Sequence, residues 1–343
     1  MKKITVNLVS ESEFTVQGHG VHTAYLETRH ILESNPNIQL MVNAKPQKTT
    51  DLTHIHTVGL FAMRRLLSRR GGAKIVSAHI VPDSLIGSII GAKYWTPIFK
   101  YYLRWFYNRA DVVIAVSPYT KDELVKLGVK RHIEVVPNSI DTSNFINSPE
   151  RKAKARRQLH LNKDRFIVVG NGQVQPRKRF DTFVEVAKQM PDVQFVWIGG
   201  IPFKAAGADF AKLTHIMKHA PENVLVTDVI PLEQARRYMI AGDLMFMPSE
   251  QETFGLAIIE GAAAGMPVIV RDIPDYDATF GNLVTRSTDD KFINQIRRFM
   301  VDNDLYARGQ QKSAKLAHKY DSATISKKLL KVYQLAIDQK GKK

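Results

Sequence analysis

The sequence predicts two doubly wound α/β domains facing a cleft, and three observations carry that prediction. Short apolar runs, of the kind that form strands buried on both faces, alternate with amphipathic stretches of helical length. The alternation occurs twice, once on each side of the basic stretch RKAKARR at 151–157. At 343 residues the chain is long enough for two domains, each burying its own core.

In the first half, ITVNLV (4–9) reads as a strand, and VQGHGVHTA (16–24) as a glycine turn feeding a helix to about Leu32. Gly18 and Gly20 would let backbone approach a ligand closely, although a lone Gly-x-Gly is also an ordinary strand-to-helix turn. A full GxGxxG is missing, so a dinucleotide cofactor is not expected. DLTHIH (51–56) and KIVSAH (74–79) are further short strands. His79 stands at a strand's carboxyl end, where α/β proteins gather their chemistry; packing is its plainer role. With His54 and His56 it raises the question of a metal, but no carboxylate cluster of fitting spacing accompanies them, so no metal site is expected. YWTPIFKYYLRWFYNR (94–109) combines eight aromatics with Lys100, Arg104 and Arg109. Rings and cations at helical spacing suit a membrane interface. A buried core helix fits the same residues, whereas base stacking on single-stranded nucleic acid lacks a recognition module. ADVVIAVSPYTKDEL (110–124) gives a strand and a helix capped near Ser117 or Thr120, and HIEVVPNSID (132–141) a last strand and turn. The stretch 151–157 reads as a basic linker.

In the second half, FIVVG (166–170) opens a new strand and helix series. Arg177 and Lys178 fall in the loop after it, where fixed cations can neutralise a diphosphate leaving group; a solvated basic turn is the bland reading. VQFVWIGG (193–200) and ENVLVTDVI (222–230) are further strands. DLMFM (243–247) and MPVIV (266–270) flank SEQETFGLAIIEGAAAG (249–265), a polar loop and an Ala-rich helix expected to start near Phe254 with Thr253 as N-cap. Such a unit aims backbone N–H groups at phosphate. Glu252 lies at the loop mouth and Glu260 about 12 Å further along a helix axis. Two carboxylates so placed suit hydroxyls at opposite ends of a nucleotide sugar, with its diphosphate between; an ordinary loop glutamate and an ordinary helix glutamate fit the spacing equally. Residues 290–303 and 322–339 read as helices.

Composition narrows the function. The net charge is +16 and the pI about 9.8, which points to a polyanionic partner. Between 60 and 109, Arg64, Arg65, Arg69, Arg70, Lys74, Lys93, Lys100, Arg104 and Arg109 face the single acid Asp83. There is no cysteine, hence no disulfide framework or thiolate metal site. The N-terminal apolar stretch is too short for a signal peptide, and no apolar run approaches the ~20 residues of a membrane span. A soluble or peripheral protein is expected.

Ser249, Glu252, Phe254, Gly255, Leu256, Glu260 and Gly265 together form S-x-x-E-x-F-G-L-x-x-x-E-x-x-A-x-G, which resembles the signature of the retaining glycosyltransferases of family 4. QGxGV near the start, THxHT, the basic aromatic segment and VVGxGQVQxRK narrow the resemblance to the bacterial diacylglycerol glucosyltransferases. That resemblance implies the GT-B fold, with an acceptor- and membrane-facing domain at 1–145, a nucleotide-sugar domain at 146–318, and a final helix (319–343) crossing back. It implies retaining, metal-independent transfer of glucose from UDP-glucose to 1,2-diacylglycerol, with no cofactor and no nucleic-acid partner. His79 and Glu252 would orient the hexose. Gly18, Gly20, Arg177, Lys178, Phe254, Gly255, Leu256 and Glu260 would bind the donor, with Glu260 on the ribose and the base near Asp228. The enzyme would sit in the cytoplasm, peripherally bound to an anionic inner membrane face. UDP-galactose, or a soluble or polymeric acceptor such as a polysaccharide, is the second expectation. One departure stands out: the family often has an arginine five or six residues before this lysine, where Gly172 and Gln173 stand here.

Overall fold

The computed structural model describes residues 3–14, 20–82, 92–146, 148–201 and 209–341. The chain divides into two compact units. One holds the described residues up to Pro82, those of Lys93–Ile140 and those from Tyr320 onward; the other holds Asp141–Lys319.

The first unit runs β1 (Ile4–Val9), α1 (Gly20–Glu33), β2 (Ile38–Val42), β3 (Leu52–Ile55), α2 (Leu60–Leu66), β4 (Ala73–Ala78), α3 (Ala92–Tyr107), β5 (Val112–Ala115), α4 (Pro118–Lys126) and β6 (His132–Val135). Its six strands lie in the order β2-β1-β3-β4-β5-β6, every neighbouring pair parallel. β3, β4 and β5 are buried throughout, which accounts for their continuous apolar sequences. Ser117 caps α4 by accepting from Thr120 N.

The second unit runs α5 (Pro149–Gln158), β7 (Ile167–Asn171), α6 (Phe180–Lys188), β8 (Gln194–Ile198), α7 (Phe210–Lys218), β9 (Val224–Val226), α8 (Leu232–Ala241), β10 (Leu244–Met247), α9 (Leu256–Ala263), β11 (Val268–Arg271), α10 (Asp277–Phe280), β12 (Thr285–Ser287), α11 (Phe292–Val301) and α12 (Asn303–Lys319). Its parallel sheet has the order β12-β11-β10-β7-β8-β9. Counted from β7, this is the doubly wound order with its switch point between β7 and β10. The core is aromatic: Phe183 packs edge-on to Trp197 with ring centroids 5.0 Å apart and stacks on Phe246 at 5.8 Å. The chain re-enters the first unit at Tyr320, where Ile140 N donates to Tyr320 O and Ser322 N to Ile140 O. The last helix, α13 (Ser322–Gly341), packs there against α1, β3 and β4.

Several elements differ from the sequence-based expectation, and α7, α10 and β12 were not anticipated. β2 was not anticipated; it is an edge strand paired only with β1, and little of it is buried. The supposed basic linker is the helix α5. Ser148 caps it, Pro149 occupies its first turn, and Lys152 and Arg156 both bind Asp243 at 2.5 Å. α9 begins two residues later than expected, and Thr253 is not its cap. α12 escaped notice because the residues it buries, Gly309, Ser313, Leu316 and Ala317, are mostly small or polar and leave little periodic apolar signal.

Gly170 on β7 faces this aromatic core: a Cβ there would lie 2.6 Å from the Trp197 ring and 2.9 Å from that of Phe183. Gly170→Ala is therefore expected to destabilise the protein by about 1–3 kcal/mol through overpacking. An unchanged urea midpoint would show that the core yields instead.

Candidate active site

In the second unit, the loops that follow β7 and β10 emerge side by side at the switch point, the usual ligand position in such sheets. They are joined directly. Glu250 N donates to Arg177 O at 2.9 Å, Arg177 Nη1 to Gln251 O at 3.3 Å, and the Arg179 guanidinium pairs with Glu250. Arg179 holds a left-handed conformation (φ 53°), which turns the chain from the 3-10 turn Pro176–Lys178 into α6.

At this junction Lys178 Nζ bonds to Glu252 Oε1, and Arg177 Nη1 lies 3.6 Å from Glu252 Oε2. Both Lys178 and Glu252 are buried. Burial resists ionisation of Glu252, but the charges of Lys178 and Arg177 and the hydrogen bond from Lys178 outweigh it and hold the carboxyl below its usual range. Burial also pulls the Lys178 ammonium down; the Glu252 charge opposes that pull and the Arg177 charge adds to it. Gln173 Nε2 and Gln251 Nε2, in the same two loops, are buried without a hydrogen-bond partner among the described residues. Buried amides of that kind are what a polar ligand satisfies.

α9 starts at Gly255 with φ 88°, and no side chain caps it. A Cβ at Gly255 would meet Ile258 Cδ1 at 2.9 Å, so both conformation and space call for glycine. Leu256 opens the helix, and the Phe254 ring is buried against Phe280 at 6.2 Å, anchoring the loop. Glu260, also buried, accepts from Asn171 Nδ2 at 2.9 Å. Asn171 was not singled out from the sequence; its only signal is an amide at the carboxyl end of a strand. Glu252, Glu260, Arg177, Lys178, Gly255 and Leu256 thus belong to one loop and helix cluster within the second unit.

In the first unit, β1 and β3 flank the reversal of strand order. Gly20 opens α1, and a Cβ there would touch nothing within 4 Å. Gly18 lies outside the described residues. His79 is buried just beyond β4, and its Nε2 lies 3.0 Å from His56 Nδ1. His54 Nδ1 meets Tyr333 Oη of α13 at 2.7 Å, and its Nε2 meets Ser77 Oγ at 2.8 Å. Among the described residues, no group of three or more His, Cys, Asp or Glu is arranged to hold a metal ion. Burial, with the neighbouring His79, pushes His54 down to about 3; burial, His54 and His79 push His56 well below its ordinary value.

The α3 aromatics divide between two surroundings. Leu103, Phe106 and Tyr107 are fully buried. The opposite side carries Ile98 and Tyr101, 69% and 75% exposed, together with the exposed Lys100 and Arg104. The neighbouring α2 exposes Leu60 and Arg64. No helix among the described residues is long and apolar enough to cross a membrane.

The histidines give a pH prediction. In the unfolded chain His54 and His56 take up protons below about 6.5, whereas in the folded chain His54 does so only near 3 and His56 well below its ordinary value. The unfolded state thus binds more protons in that window, and stability falls with falling pH by about 1.4 kcal/mol per pH unit for each histidine. Urea titrations between pH 6.5 and 5 should show this, with a shallower slope in His54→Gln; equal slopes would contradict the buried neutral assignment.

Comparison with known proteins identifies the family. Residues 10–144 match the family described as Glycosyltransferase Family 4, and residues 151–316 match Glycosyl transferases group 1. The chain is similar to an alpha-galactosylglucosyldiacylglycerol synthase of Streptococcus pneumoniae, 32% identical over 80% of this chain and 74% of that protein. It is also similar to a processive diacylglycerol alpha-glucosyltransferase of Acholeplasma laidlawii, 26% identical over 79% of this chain and 80% of that protein. Among solved structures, Anabaena Alr3699/HepE in complex with UDP-glucose superposes with a TM-score of 0.74 at 17% identity, covering 96% of this chain and 99% of that one. With two parallel-sheet Rossmann-like domains and these matches, the chain is a member of glycosyltransferase family 4 with the GT-B fold.

Proposed function

We propose that this enzyme moves glucose from UDP-glucose to the free hydroxyl of 1,2-diacylglycerol, with retention of configuration, at an anionic membrane surface on the cytoplasmic side. The observation that carries the donor half is the buried Lys178–Glu252 pair beside Arg177 at the β7/β10 switch point. Two cations, Arg177 and Lys178, stand beside Glu252 in the loop that leads into α9, and with the first N–H groups of that helix they suit a diphosphate. In transfer, the bond from the sugar's anomeric carbon to the diphosphate oxygen breaks and a bond to the acceptor oxygen forms. The acceptor proton passes to the departing phosphate oxygen. Lys178, Arg177 and the first N–H groups of α9 stabilise that oxygen's charge. Glu252 and His79 orient the hexose and Glu260, steadied by Asn171, the ribose. No step needs a metal.

The acceptor half rests on the two relatives, both named for diacylglycerol glycolipids, and on the exposed Ile98, Tyr101, Lys100 and Arg104 of α3. A second reading, galactosyl transfer from UDP-galactose to glucosyldiacylglycerol, is favoured by the name of the S. pneumoniae relative. Purified protein incubated with labelled UDP-glucose, UDP-galactose or GDP-mannose tests both readings. The acceptors are diacylglycerol or glucosyldiacylglycerol in phosphatidylglycerol vesicles, or a soluble glycan. Glucolipid only from UDP-glucose and diacylglycerol is expected; product on the soluble glycan alone would refute the lipid assignment.

Three further outcomes are expected. Glu252→Gln should lower turnover by about 100-fold or more while the protein still binds UDP; near-normal turnover would remove its role. Replacing Arg64, Arg104 and Arg109 together with Ser should reduce the fraction sedimenting with anionic vesicles, and an unchanged fraction would contradict a membrane-facing role for α2 and α3. EDTA should leave the rate unaltered; inhibition reversed by Mg²⁺ would contradict metal-free transfer.

A further inference from the structure

We infer that His56 is a positioning residue for His79, fixing its ring and making His79 the tautomer protonated on Nδ1. The inference rests on reading His79 as a hexose contact, but it adds a partner and a proton that this reading does not contain.

The bond between His79 Nε2 and His56 Nδ1, at 3.0 Å, has room for one proton. The His56 ring is neutral, because burial and the neighbouring His54 and His79 hold its pKa well below 6.5. It therefore carries a proton on one nitrogen only. Its other nitrogen, Nε2, is buried and has no hydrogen-bond partner among the described residues. Were the His56 proton on Nε2, a buried N–H donor would be orphaned, an arrangement folded proteins rarely tolerate. With the proton on Nδ1, His56 donates to His79 Nε2. Nε2 of His79 is then an acceptor, and the proton of a neutral His79 resides on Nδ1.

The ring of His56 has little freedom to do otherwise. It stacks on His79 at 5.1 Å, lies 4.4 Å from the His54 ring, and meets the edge of Tyr25 at 5.8 Å. Its backbone N–H donates to Val9 O at 2.9 Å. Behind it, His54 is held at both nitrogens, by Ser77 on β4 and by Tyr333 on α13. An imidazole so enclosed can impose an orientation on the one beside it, as the partners of metal-bound histidines do for theirs.

Two measurements test this. In wild-type protein labelled with ¹⁵N-histidine, two-bond ¹H–¹⁵N spectra at neutral pH report which nitrogens of His79 carry protons, the assignment coming from loss of signals in His79→Ala. Protonation on Nδ1 alone is expected; a proton on Nε2, or on both nitrogens, overturns the inference whatever His79 does in catalysis. The second is a kinetic cycle with UDP-glucose and diacylglycerol vesicles. His79→Ala should lower kcat about 100-fold. His56→Leu should lower kcat about tenfold, the size of one lost buried hydrogen bond, with the donor KM within about twofold. His56→Asn, whose amide can reproduce the Nδ1–H donor, should recover most of that loss. The double variant His56→Leu/His79→Ala should be no slower than His79→Ala alone. A further tenfold loss in the double variant, or no recovery in His56→Asn, overturns the positioning role while the hexose reading of His79 stands. Wild-type turnover in His79→Ala removes the hexose reading, and the positioning role with it.

Discussion

The site depends on one buried ion pair. A lysine and a glutamate both removed from water would each be driven toward neutrality, so each keeps its charge through the other. The pair joins the loop after β7 to the loop after β10, and the backbone bond from Glu250 to Arg177 runs alongside it. Arg177 adds a second cation next to the same carboxylate. Cations held in place by a largely buried pair act on an anion more strongly than the same charges free in water. Much of the ordering that substrate capture would require is thus already built into the free protein.

Strand order explains why these residues meet at all. Lys178 and Glu252 are far apart in sequence, yet their strands are neighbours because the second sheet starts in its middle with β7 and returns there with β10. Loops leaving on either side of such a reversal diverge and expose the helix start between them. The first sheet reverses at β1, which sets the carboxyl ends of β1 and β3 side by side, with His56 just beyond.

The alternation of buried strands and helices was legible because parallel strands covered on both faces carry unbroken apolar runs; FIVVG and DLMFM each correspond to a strand. Elements with weak burial were not legible. β2 shows one face to its single neighbour, and α12 packs through Gly309 and Ser313, whose small side chains hardly differ from a loop's. At the site, the glutamates and basic residues could be named from spacing and resemblance, but their pairing could not. That Lys178 would take Glu252, or Asn171 would take Glu260, depends on chain segments more than seventy residues apart. THxHT placed two histidines two residues apart, on one side of an extended chain. It gave no sign that one would face α13 and the other His79.

The chain's path through Ile140 and Tyr320 bears on how the protein is made. Asp141–Lys319, the bulk of the second unit, is continuous in sequence and can pack its core as soon as Lys319 has left the ribosome. The first cannot, because α13, which follows the second unit in the chain, supplies the hydroxyl that meets His54 and covers β3 and β4. The sheet of the first unit is therefore born with part of its histidine cluster uncovered and waits for the second unit to be made before α13 closes it. Premature termination anywhere within α13 would spare the second unit and leave the first unsealed.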